Sequence, residues 1–352
     1  MSRPKVAFYW CASCGGCEEA VVDLNEAILD VVEAVDIAFW PVAMDFKVSD
    51  VEALADGELA AAFVNGAVRT SEQREMAELL RRKAGAVVAF GACAWLGGIP
   101  GLANLSTRES ILQQVYRDLP SVQDGDGATP HEEVEVPEGR LHLPRFDDDV
   151  RTLDQVIDVD YYLPGCPPPP ELIAKAVTAL VEGTLPEKGS VLAPDVALCA
   201  ECPRVDSKPE DLKLQRFHRP YEIVADPERC LLAQGLVCLG PATRAGCGAV
   251  CVAANMPCTG CMGPTGRVID HGAKALSAIA SLIEPREPKG VAGLAEELVD
   301  PVGTFYRYSL PASLLHGRVG RNGGRSRTER DGEEGAPATA EPAGAARRGG
   351  SA

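Results

Sequence analysis

Apolar residues along this chain fall into short, nearly continuous runs that alternate with stretches of helical period. Val6–Trp10 reads as a first strand. Over Glu18–Glu33 the residues Val21, Val22, Ile28, Leu29 and Val32 form a stripe of roughly helical spacing, which predicts one helix. Asp36–Pro41 and Ala60–Gly66 predict the next two strands, and Ser71 is placed to cap a helix over Glu72–Lys83. Ala86–Gly91 and Tyr161–Leu163 predict two more strands, the last followed by a helix from Pro169 to Glu182. Strands that are apolar on both faces and alternate with helices belong to a parallel sheet covered on both sides. The expected fold class is therefore α/β, a doubly wound sheet over residues 1–185.

Two stretches break this pattern. Pro120–Asp160 carries Glu132, Glu133, Asp147, Asp148 and Asp149 without an apolar period, and reads as an acidic surface insertion. After Leu185 the strand–helix alternation stops, with helix-like stretches left at Pro227–Gln234 and Ala273–Ile283. Eight cysteines crowd between Cys199 and Cys261, so residues 186–290 read as a small helical and loop region that depends on metal to define it. Residues 291–317 form an extension. Arg318–Ala352, rich in Gly, Arg, Ala, Pro and Glu with almost no large apolar residue, is expected to be a disordered tail.

Composition adds three constraints. The chain is 46% apolar but only 5% aromatic, so its core must lean on Ala, Val, Leu and Ile. Its formal charge of −17 argues against nucleic acid, which needs clustered Lys and Arg, and suits docking on a protein partner. Thirteen cysteines would suggest disulfides in a secreted chain. Here Met1-Ser2-Arg3-Pro4-Lys5 runs directly into the first strand, with no apolar signal segment and no twin-Arg leader. No apolar run approaches the ~18 residues a membrane span requires. The expectation is a cytoplasmic chain whose cysteines serve metal or redox chemistry.

The cysteines of the first half all follow strands. Cys14-Gly15-Gly16-Cys17 follows the first strand, Cys93 the fourth, and Cys166, in Gly165-Cys166-Pro167-Pro168, the fifth. The carboxyl edge of a doubly wound sheet is where such folds bind ligands, so residues distant in sequence converge there. Four thiolates are what a 4Fe–4S cluster needs, and the neighbouring glycines let backbone N–H groups approach its sulfurs. A lone buried Cys93 would be ordinary in a core; the set of four is not. Cys14 and Cys17 also have the spacing of a thioredoxin-like redox pair. Cys11 begins a second, overlapping C-x-x-C with Cys14 and reads as a spare thiol or an alternative ligand. For the later cysteines, Cys199/Cys202 with Cys258/Cys261 have the spacing of a zinc ribbon. That pairing leaves Cys230, Cys238, Cys247 and Cys251 unexplained.

Trp10–Glu19, Gly91–Cys93 and Pro164–Pro168 resemble the proximal-cluster motifs of nickel–iron hydrogenase small subunits. The same flavodoxin-like fold and cluster site occur in the related 20-kDa-type subunit of respiratory complex I. Those subunits normally use a tandem Cys-Cys pair and lack a two-cluster region after the sheet. The stretch from Phe217-His218-Arg219-Pro220 to Gly263-Pro264 is most similar to methyl-viologen-reducing, or F420-non-reducing, hydrogenases. The resemblance covers roughly residues 5–285, only poorly the acidic insertion and not the tail.

That resemblance implies three 4Fe–4S clusters: a proximal one on Cys14, Cys17, Cys93 and Cys166; a medial one on Cys247, Cys251, Cys258 and Cys261; and a distal one on Cys199, Cys202, Cys230 and Cys238. Cys11 is left as the thirteenth cysteine. The resemblance further implies an electron-transfer subunit that is not catalytic alone. Its partners would be a large subunit carrying the nickel–iron centre and a 2Fe–2S acceptor subunit leading to heterodisulfide reductase. One alternative is a sulfhydrogenase-type small subunit coupled to pyridine nucleotide; the other, of a different class, is a stand-alone iron–sulfur carrier or structural metal module. No G-x-G-x-x-G follows a strand in the chain itself. Glu18 adjoins Cys17, as a carboxylate beside the cluster or a proton relay, or else as a first-turn acid facing the helix dipole. His218 reads as a surface or packing residue, since four cysteines already fill each site.

Overall fold

The computed structural model describes residues 3–123, 127–284 and 290–315. The tail Arg318–Ala352 lies outside the described residues, as do the last two positions of the extension. The strands are β1 (Lys5–Trp10), β2 (Asp36–Phe39), β3 (Ala61–Asn65), β4 (Val68–Thr70), β5 (Val87–Phe90), β6 (Glu133–Val136), β7 (Gly139–His142), β8 (Phe146–Arg151) and β9 (Tyr161–Leu163). The helices are α1 (Gly16–Val22), α2 (Ala27–Ala34), α3 (Val48–Glu52), α4 (Ser71–Lys83), α5 (Ala92–Leu96), α6 (Arg108–Gln113), α7 (Pro170–Glu182), α8 (Val250–Ala253), α9 (His271–Ala280), α10 (Gly290–Glu296) and α11 (Pro301–Phe305).

Among the described residues five strands form one parallel sheet in the order β2-β1-β3-β5-β9. This is the flavodoxin-like doubly wound order, which reverses direction between β1 and β3. The strand pleat divides the core. Val6, Phe8, Phe63, Val88 and Phe90 face α1 and α7, meeting Val21, Leu172 and Ile173. Ala7, Ala62, Val64, Val87 and Ala89 face α3 and α4, meeting Val51, Met76 and Leu80. Aromatics line both faces; on the first, Phe8 stacks on Phe63 at 5.0 Å and lies 4.9 Å from Trp40. The buried residues of the second face are rich in alanine and valine.

Several elements differ from the sequence expectation, each for a local reason. The helix expected over Glu18–Glu33 is two helices. Asn25 takes the left-handed conformation at φ 52°, and its amide donates to the Asp23 carbonyl at 2.9 Å. Val22, Leu29 and Val32 of the predicted stripe are consequently exposed. The cap of α4 is Thr70, not Ser71. The Thr70 hydroxyl accepts from Gln73 N at 3.3 Å, and the Gln73 side chain accepts from Thr70 N at 3.1 Å. The Ser71 hydroxyl instead accepts from Arg145 N at 3.0 Å.

The acidic stretch Pro120–Asp160 is only partly a surface insertion. The β6–β7 hairpin is exposed, but β8 pairs antiparallel with β4, and Val150 and Leu153 are buried. Two of its acids find cations on α4: Asp147 pairs with Arg74 at 2.9 Å and Asp160 with Arg81 at 2.5 Å.

The cysteine-rich segment is mainly loop and 3₁₀ turn, and the helix expected over Pro227–Gln234 is only a turn at Leu232–Gln234. Two buried arginines organise this segment by donating to backbone carbonyls. Arg204 reaches the carbonyls of Asp226 at 3.3 Å, Arg229 at 3.4 Å and Val252 at 2.9 Å, and the Asn255 side chain at 2.9 Å. Arg244 reaches Pro264 O at 3.0 Å, Ala193 O at 3.3 Å, Pro194 O at 3.1 Å and the Asp195 carboxylate at 3.0 Å. A guanidinium's fixed fork of donors can satisfy several loop carbonyls that no helix or sheet pairs. The extension beyond α11 returns to the sheet: Gly98 N donates to Tyr308 O at 2.9 Å and the Gln155 amide to Pro311 O at 2.8 Å. No helix among the described residues is long and apolar enough to cross a membrane.

Candidate functional site

The inner group of thiols lies at the carboxyl edge of the sheet. Gly15, left-handed at φ 87°, turns the chain from β1 into α1 and sets Cys14 and Cys17 on either side of that turn. Gly91, at φ 87° and ψ 166°, turns β5 into α5 and delivers Cys93. Cys166 follows β9 and precedes a cis peptide bond to Pro167. Gly91 N donates to Leu163 O at 2.8 Å and Ala92 N to Gly165 O at 2.7 Å, which locks the β5 and β9 turns together. The Cys17 thiol lies within electrostatic reach of Cys93, Cys166 and Cys14. Gly91 and, just after α5, Gly98 (φ 58°) are needed for space as well as conformation: a Cβ at Gly91 would stand 2.4 Å from Cys17 Sγ, and one at Gly98 2.3 Å from Cys93 Sγ.

The other eight cysteines form two further groups. Cys261 interacts with Cys166, Cys247 and Cys251, and Cys258 with Cys238 and Cys261. Cys199 interacts with Cys238, Cys202 and Cys230, and these four thiols line one cavity together with Lys208. The zinc-ribbon pairing of Cys199/Cys202 with Cys258/Cys261 does not match this grouping. Among the described residues no three His, Cys, Asp or Glu side chains are arranged to hold a single metal ion.

The groups touch in series. The Cys261 thiol lies within electrostatic reach of the Cys166 backbone and thiol, which brings the inner group beside the middle one. Cys258 N donates to Cys238 Sγ at 3.4 Å, joining the middle group to the outer one.

Burial governs the electrostatics. It pushes the Cys93 and Cys261 thiols up to about 12, with neighbouring cysteines adding to the effect. Burial also raises Cys199, to about 11, against the pull of the Lys208 charge. Four thiolates brought together at low dielectric repel one another, and a bound cationic centre relieves that repulsion while displacing their protons. All-thiol donor sets in groups of four, with glycine turns against the sulfurs, fit iron–sulfur clusters.

Cys11 stands apart. It is buried in the α4-side core, and burial raises its thiol to about 12. Glu18 stands in the first turn of α1 and is buried. Its buried carboxylate accepts from Trp40 Nε1 and, at 2.7 Å, from Asn65 Nδ2. Burial raises its pKa while these two bonds oppose the rise. His218 lies 3.7 Å from Glu222 and its backbone N donates to Gly235 O, a packing and surface position.

Sequence reasoning missed three residues here. Glu201, within Cys199-Ala200-Glu201-Cys202, accepts from Gly246 N at 3.0 Å and Cys247 N at 3.1 Å, tying the outer motif to the middle group. Its position inside a C-x-x-C was the available signal. Lys208 and Tyr308 carried no sequence signal, because only the fold brings them to the thiols.

Comparison with known proteins identifies the family. The profile of the family described as NADH ubiquinone oxidoreductase, 20 Kd subunit, matches residues 14–180, the part that holds the inner group. The iron–sulfur subunit of the F420-non-reducing hydrogenase of Archaeoglobus profundus is 38% identical over 323 residues, 90% of this chain and 98% of that one. The corresponding F420-non-reducing hydrogenase chain of Methanothermobacter thermautotrophicus is 40% identical over 322 residues, 91% of this chain and 98% of that one. Among solved structures, a chain of the recombinant [NiFeSe] hydrogenase of Desulfovibrio vulgaris Hildenborough shares the fold, with a TM-score of 0.51 and 19% identity over 76% of this chain and 95% of that one. The chain is a hydrogenase small subunit. Within that class it belongs to the family of F420-non-reducing hydrogenase iron–sulfur subunits.

Proposed function

We propose that this chain is the electron-relay subunit of a cytoplasmic nickel–iron hydrogenase and holds three 4Fe–4S clusters. Cys14, Cys17, Cys93 and Cys166 would hold the inner cluster; Cys247, Cys251, Cys258 and Cys261 the middle one; Cys199, Cys202, Cys230 and Cys238 the outer one. The observation that carries this reading is the serial contact of three four-thiol groups through Cys166–Cys261 and Cys238–Cys258. A 4Fe–4S cluster at each group supplies one-electron redox chemistry, at a potential set by charge, hydrogen bonds to sulfur and exposure.

The chain's own residues hold and order the sites. Gly91 and Gly98 leave room for sulfur, Glu201 ties the outer motif to Cys247, and Arg204 fixes the loops that carry Cys202 and Cys230. Cys14 is exposed next to exposed Trp10, so the inner group opens to a surface that a nickel–iron large subunit would cover. Glu18, buried beside Cys17, would hold a proton between Trp40 and Asn65 near that surface. Electrons would leave from the outer group to a 2Fe–2S acceptor subunit and a heterodisulfide reductase-type complex.

Anaerobic purification of the native complex, with metal analysis and electron paramagnetic resonance, tests the reading. Roughly twelve irons per chain, with a co-eluting nickel subunit, is the expected result. Zinc without iron would overturn it.

A further inference from the structure

The contact between the inner and middle groups is covered by a residue that is not a ligand. Tyr308 lies three residues beyond α11, on the extension that returns to the sheet. Its carbonyl accepts from Gly98 N at 2.9 Å, and Gly98 packs against Cys93. Its hydroxyl lies 3.1 Å from the Thr259 hydroxyl, and Thr259 sits between Cys258 and Cys261. The same hydroxyl feels the thiols of Cys261 and Cys166, which belong to different groups.

The extension is anchored on both sides of this junction. Pro311 fills the space over Gly97 and Gly101 and accepts from the Gln155 side chain at 2.8 Å on the sheet side. On the other side Leu314 N donates to Asp270 at 3.0 Å and the Tyr306 ring packs on Gly272. Burial raises the pKa of the Tyr308 hydroxyl, so it is a neutral phenol that can donate or accept one hydrogen bond.

We propose that Tyr308 is a positioning residue for electron transfer between the inner and middle clusters, its hydroxyl holding Thr259, and with it the Cys258–Cys261 loop, in place against Cys166. The inference rests on the cluster reading above. The transfer concerns a single electron; no bond forms or breaks, and the phenol keeps its proton. A hydrogen bond that orders a ligand loop shifts the potential of the cluster it holds, and loop placement sets the gap the electron must cross.

Tyr308→Phe in the intact, anaerobically purified complex removes the hydroxyl and keeps the ring and the backbone bond to Gly98. Iron content should stay at the wild-type level. In a redox titration followed by electron paramagnetic resonance, the midpoint potential of the middle cluster should shift while that of the outer cluster stays put. Hydrogen-driven viologen reduction should fall about fivefold, the effect of one hydrogen bond. Hydrogen–deuterium exchange, which needs no relay, should be unchanged. Thr259→Val should reproduce these effects, Thr259→Ser should not, and the double variant Tyr308→Phe/Thr259→Val should add nothing. A Tyr308→Phe complex with a wild-type middle signal and potential overturns the proposal, and so does one that loses iron, which would make Tyr308 mere scaffold. A wild-type complex without iron–sulfur signals overturns the cluster reading first.

Discussion

Cys11 and Cys14 stand three positions apart and meet opposite surroundings. Cys11 points into the alanine-rich core under α4, whereas Cys14 is exposed at the turn that gathers the inner group. Cys11→Ala should keep all of the iron and cost about 1 kcal/mol for the lost buried sulfur, measurable by denaturant melts. Cys14→Ser should lose the inner cluster's iron; retention of it would remove Cys14 from the ligand set. Asp160 shows how charge is settled at the edge strand. Burial alone would raise its carboxyl, but bonds from Arg81 at 2.5 Å, Lys188 at 2.6 Å and Val87 N at 2.8 Å hold it below the ordinary 3.8. A carboxyl depressed in the folded state contributes its full stability above the unfolded value and loses it as pH falls through the folded value. Asp160→Asn should therefore cost about 2 kcal/mol at neutral pH. Its deficit against wild type should shrink in acid below 3.8; a pH-independent deficit would refute the ion-pair account.

At the scale of elements, the turns decide the chemistry. α5 begins at Gly91 because the chain must bend sharply out of β5 with Cys17 Sγ directly in the way. Gly91→Ala combines a strained φ of 87° with a contact of 2.4 Å against that sulfur. It should displace Cys17 and remove roughly a third of the iron, one cluster of three, while circular dichroism stays near wild type. The strands were legible because a buried parallel strand is apolar on both faces, as Val87–Phe90 is. β8 was not. Its sequence Phe-Asp-Asp-Asp-Val-Arg looks solvated until β4 supplies its partner and Arg74 and Arg108 its counter-charges. The Pro227–Gln234 stretch failed as a helix because side chains compete for its backbone. The Gln234 amide bonds Asp226 N at 2.7 Å and Arg229 O at 3.0 Å, and Arg204 takes carbonyls of the same loop.

Across the whole molecule, the sheet has a core on each face, while the cysteine-rich segment has small apolar clusters, few regular elements and two buried arginines. Removing iron with a chelator should therefore loosen residues 186–284 before the sheet. Limited proteolysis should leave a resistant fragment of about 1–185, and simultaneous cleavage throughout would contradict this. The sequence by itself determined the sheet's strands and the glycine turns behind them, because strand burial and turn chemistry are local properties; the set of twelve candidate thiols came from the family resemblance. Cys11 remained open in sequence, since its C-x-x-C overlap with Cys14 looks the same on paper; only its place in the α4-side core, away from the other thiols, separates it. Which thiol group adjoins which was a tertiary matter. Cys166 meets Cys261, Cys238 meets Cys258, and Tyr308 closes over the first of these junctions from the far end of the chain. Contacts between residues so distant in sequence leave no local period or spacing to read; they exist only where packing brings the segments together.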